Sequence, residues 1–343
     1  MTAQNLKKLN LKMPNPKQLV FIGIAALDLN ICLANTNPLT DKSKHIYHPQ
    51  TRDELVQLLN DENVKLDTID TSKIKDMSYL FANTPSDECG KIMEQYIKNC
   101  KNSAKRRKDF SGIETWDVSK VTDMNNMFDS AISFNQPLNS WDVAKVTNMS
   151  FMFDSAISFN QPLDSWDVGN VRDMSGMFAD AKSFNQPLNS WNVAKVTDMA
   201  FMFASAKSFN QPLDKWNVSK VKNMSWMFAY TESFNQPLES WNVSNVTNMS
   251  YMFVKAQSFN QPLNKWNVIK VKNMYAMFQG TSAFNQPLNK WDVSNVRDME
   301  FMFAWAESFN QPLSSWKVKT STKQQGMFFG SLLGSKPPKW HKE

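Results

Sequence analysis

Groups able to carry chemistry are scarce in this 343-residue chain. It has three histidines, His45, His48 and His341, and none has a cysteine or carboxylate partner at metal-ligand spacing. No GxSxG, HExxH, Walker loop or CxxC occurs, which removes the signatures of a nucleophile elbow, a zinc protease, a phosphate-binding loop and a redox dithiol. The acids are not separated by glycine-rich turns, which counts against a calcium-binding array. Leucine, the usual filler of globular cores, is sparse in the regular part of the chain. A formal charge of +6 is modest for this length, and the bases are mostly interleaved with acids, so no nucleic acid is expected as a partner. These absences predict a protein that is not an enzyme and holds no cofactor and no metal.

What the chain has is a period. Trp116, Trp141, Trp166, Trp191, Trp216, Trp241, Trp266, Trp291 and Trp316 recur every 25 residues without insertion or deletion. Between them FNQPL recurs eight times, starting at Phe134, Phe159, Phe184, Phe209, Phe234, Phe259, Phe284 and Phe309. Such self-similarity marks a repeat array that grows along one axis and needs no second core.

In one unit the positions that stay apolar are Leu138, Trp141, Val143, Val146, Met149, Met152, Phe153, Ala156 and Phe159. Leu138, Trp141 and Val143 read as LxxWxV, a short strand with Asp142 on its other face. Met149, Met152, Phe153 and Ala156, spaced i, i+3, i+4 and i+7, read as a short amphipathic helix. Pro137 and its copies precede each strand and mark the turn back. The expected fold is therefore a curved α/β solenoid with a parallel sheet and helical segments on its other side, with an all-β solenoid as the alternative.

These residues carry a resemblance. WNVSNVTNM at 241–249 and WDVSNVRDM at 291–299, followed by MF and FNQPL, resemble the BspA family of leucine-rich-repeat surface proteins over about residues 64–328. The resemblance implies a secreted or surface protein associated with adhesion and protein binding, and it carries over no catalytic residue.

The ends depart from the pattern. Residues 1–34 read as a signal peptide, with Lys7, Lys8, Lys12 and Lys17 ahead of the apolar run Leu19 to Leu27, and Cys32 and Ala34 before a cleavage point. Residues 35–63 form an N-terminal segment ending in a helical cap, with Thr51 as N-cap of a helix over 52–59. The repeats run over 64–328, interrupted at 82–109, and 329–343 form a C-terminal cap or tail. The interruption holds Cys89 and Cys100, readable as a disulfide or as two free thiols. It also holds the basic run Lys105 to Lys108, readable as a polyanion contact or as a solvated loop.

Binding is best sought where a constant frame carries varied residues. One varied column runs beside the tryptophans and includes Ser140, Lys215, Lys265 and Lys290; it adjoins an Asp/Asn column read as a ladder along the sheet. The other holds Phe151, Phe201, Trp226, Tyr251 and Phe301, with Tyr230 and Trp305 four residues beyond two of them. These aromatics lie off the apolar stripe and read either as a binding surface or as packing between units. The expected partner is a protein or carbohydrate on a host or neighbouring cell, and the alternative is a structural spacer or intracellular scaffold without a specific ligand. An exported chain is expected to lose residues 1–34, and the mass of the product recovered outside an expressing bacterium checks this. A full-length cytoplasmic product would refute export.

Overall fold

A 25-residue unit is too short to enclose its own tryptophan and phenylalanines, so each unit must bury them against its neighbours. The computed structural model of the chain describes residues 37, 39–85 and 87–342. Two α-helices occur among the described residues, α1 at Arg52–Leu59 and α2 at Glu94–Lys101, both ahead of the regular units. From residue 116 to 316 the units contain neither helix nor strand. Adjacent units share one isolated parallel bridge each, from Asp123↔Asn148 to Asp298↔Lys323. The expected α/β solenoid with its parallel sheet is therefore not what the chain builds, and the all-β alternative fails on the same observation.

The chain builds stacked coils made of turns. The N–H groups of Met149, Phe151, Phe153 and Ser155 donate to the carbonyls of Asp173, Ser175, Met177 and Ala179 in the following unit, at 2.7 to 3.0 Å. Within the same segment Met152 donates to Met149, Asp154 to Phe151 and Ala156 to Phe153, closing successive turns. Phe151 and Ser155 both have φ of 55°. A left-handed residue every fourth position stops a helix from propagating and stops a strand from staying extended. Consecutive turns also bring residues three and four apart to one side, so Met149, Met152, Phe153 and Ala156 are all fully buried without being helical. The i, i+3, i+4 pattern could not tell these two geometries apart.

Phe, Asn, Gln and Leu of FNQPL bond or pack between units. The phenylalanines stack, Phe159 on Phe184 at 5.9 Å and nearly parallel. Asn160 Oδ1 accepts from the N–H of Asn185 at 3.0 Å and from Gln186 Nε2 at 3.0 Å. Leu163 is buried, and its carbonyl accepts the indole N–H of Trp191 at 2.9 Å. That indole-to-leucine bond, 28 residues back, recurs from Trp166 to Trp316. The tryptophans are nearly parallel to one another, as in Trp166 and Trp191 at 6.4 Å. A buried indole N–H without an acceptor would cost about 1–3 kcal/mol, so strict spacing follows from strict pairing.

The first unit is degenerate in sequence but regular in pairing: Met77, Tyr79, Phe81 and Asn83 donate to Asp123, Asn125, Met127 and Asp129 across the 82–109 interruption. Helix α1, N-capped by Thr51, buries Leu55, Val56 and Leu59 against this unit, with Leu58 partly buried. At the other end Trp340, one residue out of register, still stacks on Trp316 at 6.0 Å and donates to Leu313. Trp216→Phe keeps an aromatic ring in the stack but shrinks it and removes the indole donor to the Leu188 carbonyl, which keeps only the Trp191 N–H. It is expected to destabilise by about 1–3 kcal/mol, whereas Lys215→Ala stays within about 0.5 kcal/mol; urea unfolding midpoints check both.

Candidate functional site

Two columns of the coil have left-handed backbone in unit after unit. The first holds Asn126, Phe151, Gly176, Phe201, Trp226, Tyr251, Ala276, Phe301 and Gly326; the second holds Ser130, Ser155, Asp180, Ser205, Tyr230, Lys255, Gly280, Trp305 and Gly330. Glycine would be the unstrained choice, and each bulky residue there costs about 1 kcal/mol or more of backbone strain. The inter-unit ladder holds them in place, since each such N–H outside the last unit donates to the next unit.

Side chains on these columns lean toward the following unit. A Cβ at Gly176 would collide with the ring of Phe151, one at Gly326 would lie 2.6 Å from the Phe301 ring, and one at Gly330 would lie 2.7 Å from Trp305. Where the next residue is larger, the rings stack: Phe201 on Trp226 at 5.6 Å and Trp226 on Tyr251 at 4.1 Å. The run continues through Tyr275, 5.0 Å from Tyr251 and 5.7 Å from Phe301. Trp226 and Tyr251 also rest on an apolar strip of Ala179, Ala204, Ala229 and Val254. Lys255 Nζ sits 5.4 Å over the Tyr230 ring, a cation–π contact.

Packing between units thus accounts for Phe151, Trp226, Tyr251 and Phe301, which are half-buried. Phe201 at 37 %, Tyr230 at 38 % and Trp305 at 45 % remain exposed, large aromatic surfaces that no core requires. Tyr275 was missed by the sequence reading, although the signal was present. Its column is otherwise small or polar, with Ser225 and Ser250 ahead of it.

The other varied column behaves differently. Ser140 donates its hydroxyl to the Glu114 carbonyl at 3.1 Å, and Ser165, Ser190 and Ser240 do the same to the units before them. Lys215 and Lys290 are exposed and use their main-chain N–H to bond Asn189 and Asn264. Lys265 pairs with Glu239 at 3.0 Å. These residues lie on turns rather than on the sheet face expected for them. The neighbouring Asp/Asn column is not a ladder between units either: Asp142, Asn192, Asn217 and Asp292 each accept from the N–H two residues on, closing their own turns.

In the interruption, Cys89 and Cys100 form a disulfide with Cα atoms 5.7 Å apart. The bridge ties α2 to the segment before it, and Tyr96 on that helix donates to Asp123 at 2.8 Å and accepts from Asn148 at 2.9 Å. Arg107 is withdrawn from the basic run, because its guanidinium is buried on the carbonyls of Leu59, Asp61 and Val64. No group of three His, Cys, Asp or Glu residues is arranged to hold a metal among the described residues.

A model of the family DUF285, described as Mycoplasma protein of unknown function, matches residues 91–211, 188–282 and 238–339. Comparison with curated proteins finds no match.

At the N-terminal side the same segment is acidic rather than aromatic. Burial first, then the neighbouring carboxylates of Asp129 and Asp180, push Asp154 up to about 7. Because the carboxyl is raised only in the folded chain, its ionisation costs nothing below about pH 4, and the cost grows to its full size above about pH 7. Asp154→Asn is therefore expected to match the parent at pH 4 and to exceed it by about 2 kcal/mol at pH 8. Urea unfolding at the two pH values checks this, and an equal difference at both would refute it.

Proposed function

Because the chain belongs to the DUF285 repeat family, we propose that it is a non-catalytic repeat protein that binds a protein or carbohydrate on a host or neighbouring cell through its aromatic columns. The observation that carries this is the exposure of Phe201, Tyr230 and Trp305 on strained backbone, where the stack needs no large side chain. Aromatic rings give large contact area at low entropic cost and are the usual anchors of interfaces. Repetition adds avidity, since several weak contacts on one rigid frame act together.

Export to the cell surface is part of the same proposal. The resemblance to BspA-type leucine-rich-repeat surface proteins supports it, as does the Cys89–Cys100 bridge, a bond that persists in oxidising compartments. The signal-peptide reading of residues 1–34, and Cys32 within it, lies outside the described residues. No helix among the described residues is long and apolar enough to cross a membrane. A spacer without a specific ligand is the second reading, favoured by the identity of FNQPL in eight units.

The full chain, fluorescently labelled, is expected to bind cultured animal cells or a glycan array. The triple variant Phe201→Ala, Tyr230→Ala, Trp305→Ala is expected to lose roughly tenfold or more in apparent affinity. Binding unchanged in a variant that melts like the parent would sink the aromatic-column reading, and absence of binding by the parent would favour the spacer.

A further inference from the structure

The stack has two unlike ends, because the four-bond main-chain row of each unit runs forward, and only sparser bonds, such as the Thr147 N–H to the Thr122 carbonyl, run back. Each unit donates four N–H groups forward and accepts on four carbonyls from behind. At the N-terminal end three of the four accepting carbonyls are already used. Ser78 accepts from Arg52 Nε at 2.9 Å, Leu80 from the Ala104 N–H at 2.8 Å and Ala82 from the Ser103 hydroxyl at 3.0 Å. At the C-terminal end the donating residues of the last unit are Gln324, Gly326, Phe328 and Gly330, and their N–H groups have no acceptor among the described residues.

Three of these four, Gly326, Phe328 and Gly330, line an open cleft of about 580 Å³ whose aromatic walls are Phe301, Trp305 and Phe329. Trp305 is 45 % and Phe329 62 % exposed, and their rings meet edge to face at 5.2 Å. Gly326 and Gly330 put no side chain where the rings of Phe301 and Trp305 lean; Gly330 is exposed and Gly326 half-buried, while the other two donors, Gln324 and Phe328, belong to buried residues. The C-terminal stretch that carries this end is basic. Lys317, Lys319, Lys323, Lys336, Lys339 and Lys342 are exposed, and residues 308–342 contain no acid.

The geometry points to a docking edge for an acidic, extended peptide segment of a partner protein, which would add to the stack as one more coil ridge. Its alternate carbonyls would accept from the free N–H row, an apolar side chain would enter the aromatic cleft, and its acids would face the lysines. Main-chain pairing at an exposed edge is a general mode of peptide capture, with pockets for alternate side chains supplying selectivity. A second copy of this chain does not fit by its ends. Three of the four N-terminal carbonyls are capped, and two C-terminal edges would set donors against donors. This inference does not rest on the aromatic columns as an adhesion surface, although the two share Phe301 and Trp305.

The test uses the full, oxidised chain and a synthetic peptide of its own residues 121–131, VTDMNNMFDSA. In the stack the carbonyls of Asp123, Asn125, Met127 and Asp129 accept this kind of ladder. Hydrogen exchange read by mass spectrometry is expected to show residues 324–330 exchanging faster than 299–305 in the free chain. Millimolar peptide should slow them by about tenfold. The same peptide carrying Asp123→Lys and Asp129→Lys should protect them less, and the advantage of the acidic peptide should shrink at high salt. Gly330→Asp, which fills the cleft with a carboxylate, should abolish protection without altering exchange at 199–255.

Slow exchange of 324–330 before peptide is added would overturn the inference. So would absence of slowing, slowing confined to Phe201 and Tyr230, or slowing produced by anionic phospholipid vesicles and not by peptide. Cell binding through the aromatic columns is read in a separate assay, so either idea can fail while the other stands.

Discussion

The rest of the structure depends on a hydrogen bond that no unit can make alone. A turn-rich coil of 25 residues has main-chain donors left over after its own turns are closed, and buried donors must find acceptors. Here they find them in the next coil, as Phe151 does at Ser175 and Phe153 at Met177. The indole of Trp191 bonds back to Leu163, and the carboxamide of Asn160 holds Asn185 and Gln186. Because each bond spans a fixed number of residues, a unit one residue longer would break the ladder at several points together. That is the physical content of a register kept from Trp116 to Trp316.

The same ladder makes the strained columns tolerable. A left-handed Trp226 or Tyr230 would not persist on a free loop, but here the backbone is held from both sides by the neighbouring coils. Since the interior is already filled by Trp, Met, Phe and Val, the side chain at a left-handed position is free to vary. It varies from Asn126 and Asp154's neighbour Ser155 at one end to Phe301 and Trp305 at the other. Strain and variability therefore fall on the same residues, and where a large ring is exposed as well, as at Phe201, Tyr230 and Trp305, a ligand surface is sought.

Directional bonding also gives the molecule a polarity that its near-identical units conceal. Arg52, Ser103 and Ala104 close the carbonyl end, and the Cys89–Cys100 bridge with Tyr96 anchors the segment that supplies two of these groups. The opposite end has its aromatic interior covered by Trp340, while its ridge keeps a row of donors. The interruption at 82–109 is accordingly a cap threaded through the array, and Arg107 belongs to its interior rather than to a polyanion surface.

Much was legible in the sequence because it was periodic. The 25-residue register, the buried set Trp141, Val143, Val146, Met149, Met152, Phe153, Ala156 and Phe159, the varied column with Phe201, and Tyr230 and Trp305 four residues beyond it all follow from counting along the chain. The kind of coil did not follow. Apolar residues at i, i+3 and i+4 suit a helix and a chain of turns alike, and the sign of φ at Phe151 and Ser155 is set by hydrogen bonds to residues 24 positions away. Nor could one sequence show that Asp142 caps its own turn, that Ser140 bonds backward, or that Tyr275 bridges Tyr251 and Phe301. Sequence alone determined which residues repeat and which are buried, since burial follows apolar period. Only the tertiary structure decided the backbone path and the unlike ends, since both arise from bonds between units that local preference does not encode.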